Sequence, residues 1–307
     1  MLELYLPIAA LSVLIPVILG AGGAVGFLSG LFGVGGGFLM TPLLMLIGIP
    51  ADVAIAGGAC LAVATSVSSA ISHWKRGNVD LKIGMMLVIS GFVGASVGGV
   101  LTLRLKALGQ FEAAVALAYV IMLGSIGLMM LIESLRAILS ARSGVVRTGR
   151  RRQRHSWFHY LPLKTRFPIS RLYISVVPVV LIGAFVGFLS ALMGVGGGFV
   201  LVPAMVYLLG MRTSLAVGTS AFNIVFVSAY TTVLLATTAL SLDVVLALLL
   251  IIGGVVGTQI GTRAGAALNG EQLRFLLALL ILAVGVRVGA DLVTPPAERY
   301  TMAAGMR

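Results

Sequence analysis

Ten apolar segments follow one another along this 307-residue chain, at about residues 4–31, 38–49, 52–73, 83–103, 112–134, 172–193, 199–210, 213–237, 243–262 and 273–293. Most approach or exceed the ~20 residues that carry an α-helix across the hydrocarbon core of a bilayer. They are far too long for barrel strands and show no period of two. Only 38–49 and 199–210 are too short to span. Too few polar groups remain for a water-facing surface: 59% of residues are apolar and 10% charged, against ~25% charged in an average soluble domain. That excludes an ordinary soluble enzyme and a disordered chain. The single cysteine, Cys60, excludes a disulfide framework, and three histidines leave too few ligands for a buried zinc centre. No metal and no cofactor is expected. The N-terminal segment has no basic flank, Glu3 being its only charge, so it reads as a retained first helix and not a cleaved signal.

The charge sits in one place. Net charge is +12, and ten of the 21 basic residues fall between Leu135 and Leu172, with no Asp or Glu among them. Loops rich in Lys and Arg stay cytoplasmic during insertion, so residues 135–171 form a basic cytoplasmic linker between two membrane units, 1–134 and 172–307. The run Arg150-Arg151-Arg152-Gln153-Arg154 could contact nucleic acid, but no binding module surrounds it. Anionic head groups of membrane lipid are the better partner for such a run, and no nucleic acid is expected.

The chain is also duplicated. Residues 26–42 read GFLSGLFGVGGGFLMTP and residues 187–203 read GFLSALMGVGGGFVLVP, with 12 of 17 positions identical. The match resumes where Gly91, Gly94 and Gly98 align with Gly254, Gly257 and Gly261. Internal repeats of this kind are characteristic of secondary transporters. If the short segments only dip into the membrane, each unit has four spans and the repeats are parallel. If they count as crossings, each has five segments and the second is inverted. With the linker inside, the inverted arrangement places Lys75, Arg76, Lys82, Arg212, Arg263 and Arg274 inside, against Arg104, Lys106, Arg299 and Arg307 outside. The parallel arrangement divides the same residues evenly. The expectation is therefore an all-α polytopic membrane protein of two inverted repeats, about five helical segments each, with both termini outside.

Gly33-Val-Gly-Gly-Gly37 and Gly194-Val-Gly-Gly-Gly198 interrupt the apolar stretches. Each glycine costs a helix ~1 kcal/mol relative to Ala, so such a run breaks it. Broken backbone at membrane depth is tolerated only where protein buries it or it lines a cavity. A short helix restarts after each break, with Thr41-Pro42 as one candidate start and the glycines themselves as the other. A helix start offers free N–H groups and the positive end of the dipole, and glycines let an oxyanion approach closely. Two such starts meeting near the midplane would bind an anion without a buried cation. Elsewhere, Gly26/Gly30, Gly94/Gly98 and Gly257/Gly261 have the small-xxx-small spacing of helix packing. The glycine runs lack the Lys-Ser/Thr of a P-loop, and no nucleophile motif of an enzyme appears.

Polar residues within spans complete the candidates. Thr65, Ser66, Ser68 and Ser69 cluster in one segment; Thr219, Ser220 and Asn223 cluster in another, followed by Ser228 and Thr231. A hydroxyl often bonds only its own helix, whereas Asn223 and Gln259 are costlier to bury. The substrate-binding set expected is Gly33, Gly35, Gly36, Gly37, Thr41, Thr65 and Ser66 from the first unit, and Gly194, Gly196, Gly197, Gly198, Thr219, Ser220, Asn223 and Gln259 from the second.

The doubled GFLSGLFGVGGG–P pattern, the Thr/Ser-rich segment ending at His73 and the Gly77-Asn-Val-Asp80 that follows resemble the TauE/SafE family of sulfite exporters. The resemblance covers nearly the whole chain apart from the linker. It implies a bacterial inner-membrane transporter, not an enzyme, whose partner is a small anionic organosulfur substrate such as sulfite, sulfoacetate or another sulfonate. A homodimer is implied on family grounds only. A passive anion channel using the same residues is the alternative. Gly57-Gly58-Ala59-Cys60 stands where the second unit has Gly218-Thr219-Ser220-Ala221, so any contact by that Thr-Ser pair is one-sided.

Overall fold

The computed structural model describes residues 3–9, 11–32, 35–142, 164–170, 172–265 and 270–293. Its first unit contains a hairpin of β1 (Glu3–Leu6) and β2 (Leu11–Leu14), then helices α1 (Ile15–Phe32), α2 (Gly37–Leu46), α3 (Ala51–Lys75), α4 (Leu81–Ala107) and α5 (Phe111–Arg142). The second contains β3 (Lys164–Phe167), β4 (Leu172–Ser175), α6 (Val176–Met193), α7 (Gly198–Tyr207), α8 (Thr213–Leu234), α9 (Val244–Gly265) and α10 (Gly270–Val293). Among the described residues, seven stretches, in α1, α3, α4, α5, α6, α8 and α9, are long and apolar enough to cross a membrane; α2, α7 and the Ala278–Ala290 stretch of α10 are shorter apolar helices. Their outward faces stay apolar: Val93 is 61% exposed and Leu181 62%. Only a lipid surround makes such faces ordinary. The chain is an all-helical polytopic membrane protein.

The sequence reading needs three corrections. Residues 3–14, expected at the start of a long helix, form a hairpin, and residues 164–175 form another across the expected linker boundary. A proline opens each turn, Pro7 and Pro168, and fixes its φ. Tyr5, Val13, Thr165, Phe167, Tyr173 and Ile174 favour strand. The nearly unbroken apolar run in the first hairpin hid the alternation. Helix α5 also continues past 134, to Arg142. The core of the basic linker, 143–163, lies outside the described residues.

Helix directions follow from close backbone contacts. Gly22, Gly26 and Gly30 of α1 meet Leu250, Gly254 and Thr258 of α9 in the same order, so these helices run parallel. Leu87, Gly91 and Phe188 set α4 parallel to α6 through Gly183, Gly187 and Gly98. Gly218 of α8 meets His73 of α3, while Gly196 lies between Ala62 of α3 and Ser228 of α8, so α3 and α8 are antiparallel. Gly127 beside Ile281, and Gly285 beside Leu123, make α5 and α10 antiparallel. The glycines at α1–α9 and α4–α6 are thus packing residues, as their spacing predicts: a Cβ on Gly26 would overlap the Gly254 carbonyl. Helices α1, α3, α5 and α9 point one way and α4, α6, α8 and α10 the other.

Aspartates lock these bundles at both ends. Asp80 is fully buried and caps α4, its Oδ1 accepting from Lys82 N at 3.1 Å and Ile83 N at 3.3 Å. Its Oδ2 accepts from Ser170 Oγ at 2.6 Å and Ser170 N at 3.1 Å, in the second hairpin. Asp243 caps α9 in the same way and accepts at Oδ2 from Ile8 N of the first hairpin at 3.2 Å. Each unit's hairpin is therefore held by the other unit's helix cap.

Candidate functional site at the two glycine breaks

The backbone of each break needs glycine. Gly35 has φ +85°, and Gly194, Gly196 and Gly197 have φ +68°, +67° and +75°. L side chains lose roughly 1–2 kcal/mol per residue in that region. Gly194 ends α6, its N–H donating to Ser190 O at 2.8 Å. Gly36 and Gly197 immediately precede α2 and α7, so Gly37 and Gly198 are the first helical residues. The helix start thus lies at the glycines, and Thr41-Pro42 lies inside α2. Gly33 lies outside the described residues.

The two starts meet in the protein interior. The rings of Phe38 and Phe199, one residue into each helix, stack with centroids 5.5 Å apart. A Cβ on Gly37 would lie against the Gly194 carbonyl, and one on Gly194 against the Ile55 carbonyl. Tyr119 of α5, fully buried, donates its hydroxyl to Met193 O and so holds the end of α6.

Helices α3 and α8 line the breaks. Thr65 Oγ1 accepts from Gly36 N at 3.2 Å and donates to Leu61 O at 3.0 Å, which caps the start of α2 from outside its own chain segment. Thr41 Oγ1 lies 3.3 Å from Gly37 O and 3.4 Å from Ala54 O, a bridge between α2 and α3. Ser66 Oγ faces Gly35, where an added Cβ would lie 3.2 Å away. Ser228 Oγ faces Gly196 at 2.8 Å by the same measure. Ile224 of α8 touches both glycine positions, and Asn223 precedes it. Ser66 is 1% exposed, and Asn223 and Ser228 are fully buried. Among the described residues, the hydroxyls of Ser66 and Ser228 and both amide atoms of Asn223 have no hydrogen-bond partner. Buried polar groups are nearly always partnered, so unpartnered ones beside opposed helix starts make this the candidate site, while His73 Nδ1, Thr102 Oγ1 and Ser241 Oγ are unpartnered as well.

Other expected site residues have partners of their own or face outward. Thr219 is buried, but its Oγ1 accepts from Asp80 N at 3.0 Å, so it ties α8 to the α3–α4 turn. Ser220 donates to Val217 O of its own helix at 2.9 Å. Gln259 is exposed on α9, because the inward position there belongs to Thr258, which bonds Gly26 O and Gly254 O. Sequence reasoning set Ser228 aside among the hydroxyls and gave no role to Tyr119, Asp80 or Asp243. The aspartates were findable: each stands just before an apolar run, where a helix cap belongs.

Long apolar helices packed around two glycine-broken ones define a polytopic membrane protein. The chain belongs to the sulfite exporter TauE/SafE family, whose model matches residues 18–288. It is 29% identical to the probable membrane transporter protein YjnA of Bacillus subtilis, over 86% of this chain and 95% of that one. It is 28% identical to a probable membrane transporter protein of Xylella fastidiosa, over 89% and 94%. It is 25% identical to the probable membrane transporter protein MJ0441 of Methanocaldococcus jannaschii, again over 89% and 94%. No solved structure matches the chain. The family is one of transporters, not enzymes.

Proposed function

We propose that the protein is a secondary carrier of small organosulfur anions, such as sulfite or related sulfonates, across the bacterial inner membrane. The observation that carries this reading is the meeting of two glycine-broken helix starts beside the unpartnered Ser66 and Ser228, with the unpartnered Asn223 next in sequence to Ile224, which lies against both breaks. Backbone N–H groups and the dipoles of α2 and α7 attract the anion, and the three side chains bond its oxygens. The two units act as inverted repeats. The opposite directions of α1 and α6, α3 and α8, α4 and α9, and α5 and α10 support this. Alternating access follows when one bundle rocks against the other about the shared site. The basic linker lies in the cytoplasm, because the ends of α3 and α5 and the starts of α4, α6 and α8 share its end of the bundle, with Lys75, Arg76, Lys82 and Arg212.

Proteoliposomes preloaded with sulfite, methanesulfonate, taurine or lactate, and given labelled methanesulfonate outside, test the reading. A carrier accumulates label in vesicles preloaded with a transported organosulfur anion and not in those holding lactate. Entry that is unsaturable and indifferent to the internal anion would make the protein a channel instead.

A further inference from the structure

The side chains around the glycine breaks are neutral, and that restricts the charge of the guest. Gly35 faces Ser66 and Ile224, Gly36 faces Leu61 and Thr65, and Gly196 faces Ile224, Ser228 and Ala62. Among the described residues, every Lys and Arg with a described side chain is exposed or half-buried, and all but Arg287 lie at helix ends or in a hairpin. The fully buried charged residues among the described ones are Asp80 and Asp243, both acidic. The positive potential at the site therefore comes from the two helix starts. Each carries roughly half an elementary charge, so together they offer about +1. Desolvation of an ion grows with the square of its charge, so a dianion costs about four times as much to bury as a monoanion of the same size. A site offering about one positive charge offsets the first cost and not the second.

We propose that this site selects singly charged sulfur oxyanions, R–SO₃⁻ and HSO₃⁻, over doubly charged ones, and that sulfite is bound and carried as bisulfite. The inference rests on the carrier reading above and adds the charge state of its substrate. Simple alkanesulfonates such as methanesulfonate are monoanions at every physiological pH, whereas sulfoacetate carries a second charge on its carboxylate and falls with the disfavoured anions. Sulfite loses its second proton near neutrality, so its binding falls as pH rises while that of a sulfonate does not.

Calorimetric titration of the purified full-length protein with methanesulfonate, sulfate and sulfite, each at several pH values, tests this. Methanesulfonate and sulfate present similar oxygen geometry with one charge and two. Methanesulfonate should bind at least ~10-fold more tightly than sulfate, independently of pH. Sulfite, counted as total sulfite, should weaken by about 10-fold per pH unit above its second titration. Sulfate binding as tightly as methanesulfonate, or sulfite affinity that ignores pH, would overturn charge selection while leaving an organosulfur carrier in place. If none of the three binds, the carrier reading fails and this inference falls with it.

Discussion

A buried amide with no partner forfeits hydrogen bonds it had in water, at a cost of about 1–3 kcal/mol per group. Asn223 bears that cost at both its amide atoms. Replacing it by Leu removes the cost, so Asn223→Leu should raise the apparent melting temperature of the anion-free protein in detergent while transport is lost. A fall in melting temperature would show that Asn223 is held by the fold and not reserved for a guest. The glycines argue in the same direction. Gly196→Ala meets both a positive φ and the Ser228 hydroxyl, so it should destabilise the protein by roughly 1–2 kcal/mol and weaken anion binding, both readable by thermal unfolding with and without methanesulfonate. The glycine runs were legible in the sequence because only glycine takes that backbone without penalty. Thr65 and Ser66 were legible as a pair, but not their division of labour, in which one caps α2 and the other stays free. The role of Thr219 was hidden because its partner, Asp80, is 139 residues away.

Between elements, the cross-unit hairpin locks dominate. Asp80 holds Ser170 through two hydrogen bonds, and Thr219 holds the Asp80 backbone, whereas Asp243 holds the first hairpin through Ile8 N. Where the second unit has Thr219, the first has Gly58. The Asp80 end is therefore the more firmly fastened. Asp80→Ala should cost about 1–3 kcal/mol in lost cap and lock, and more than Asp243→Ala, as measured by thermal unfolding of the two purified variants. Equal losses would remove the asymmetry. The helix seams carry a second test. Gly94 lies against the Ala184 carbonyl, so Gly94→Val should separate α4 from α6 and reduce the yield of folded protein, whereas Gly124→Val, in open space, should not. These seams were readable from small-xxx-small spacing. The hairpins were not, since a short apolar strand and the start of a membrane helix share one composition.

For the whole molecule, helix direction sets both topology and the sharing of the site. With Cys60 replaced by Ala, Arg76→Cys should react with an impermeant thiol reagent only from the side of the basic linker, and Leu108→Cys only from the opposite side. Reaction of both from one side would contradict the arrangement of α3, α4 and α5. The order of the spans and their basic ends was legible because hydropathy and Lys/Arg position govern insertion. Which polar groups remain unpartnered at the centre was not, because that depends on contacts between units. The central claim is that one anion site is built jointly by both units, with Ser66 from the first and Asn223 from the second. The measurement that tests it most directly is the rise in melting temperature on adding methanesulfonate to the wild-type protein, Ser66→Ala and Asn223→Leu. The wild type should be stabilised, and each single variant should fold yet lose most of that rise. A rise of wild-type size in either variant would show that the anion binds elsewhere.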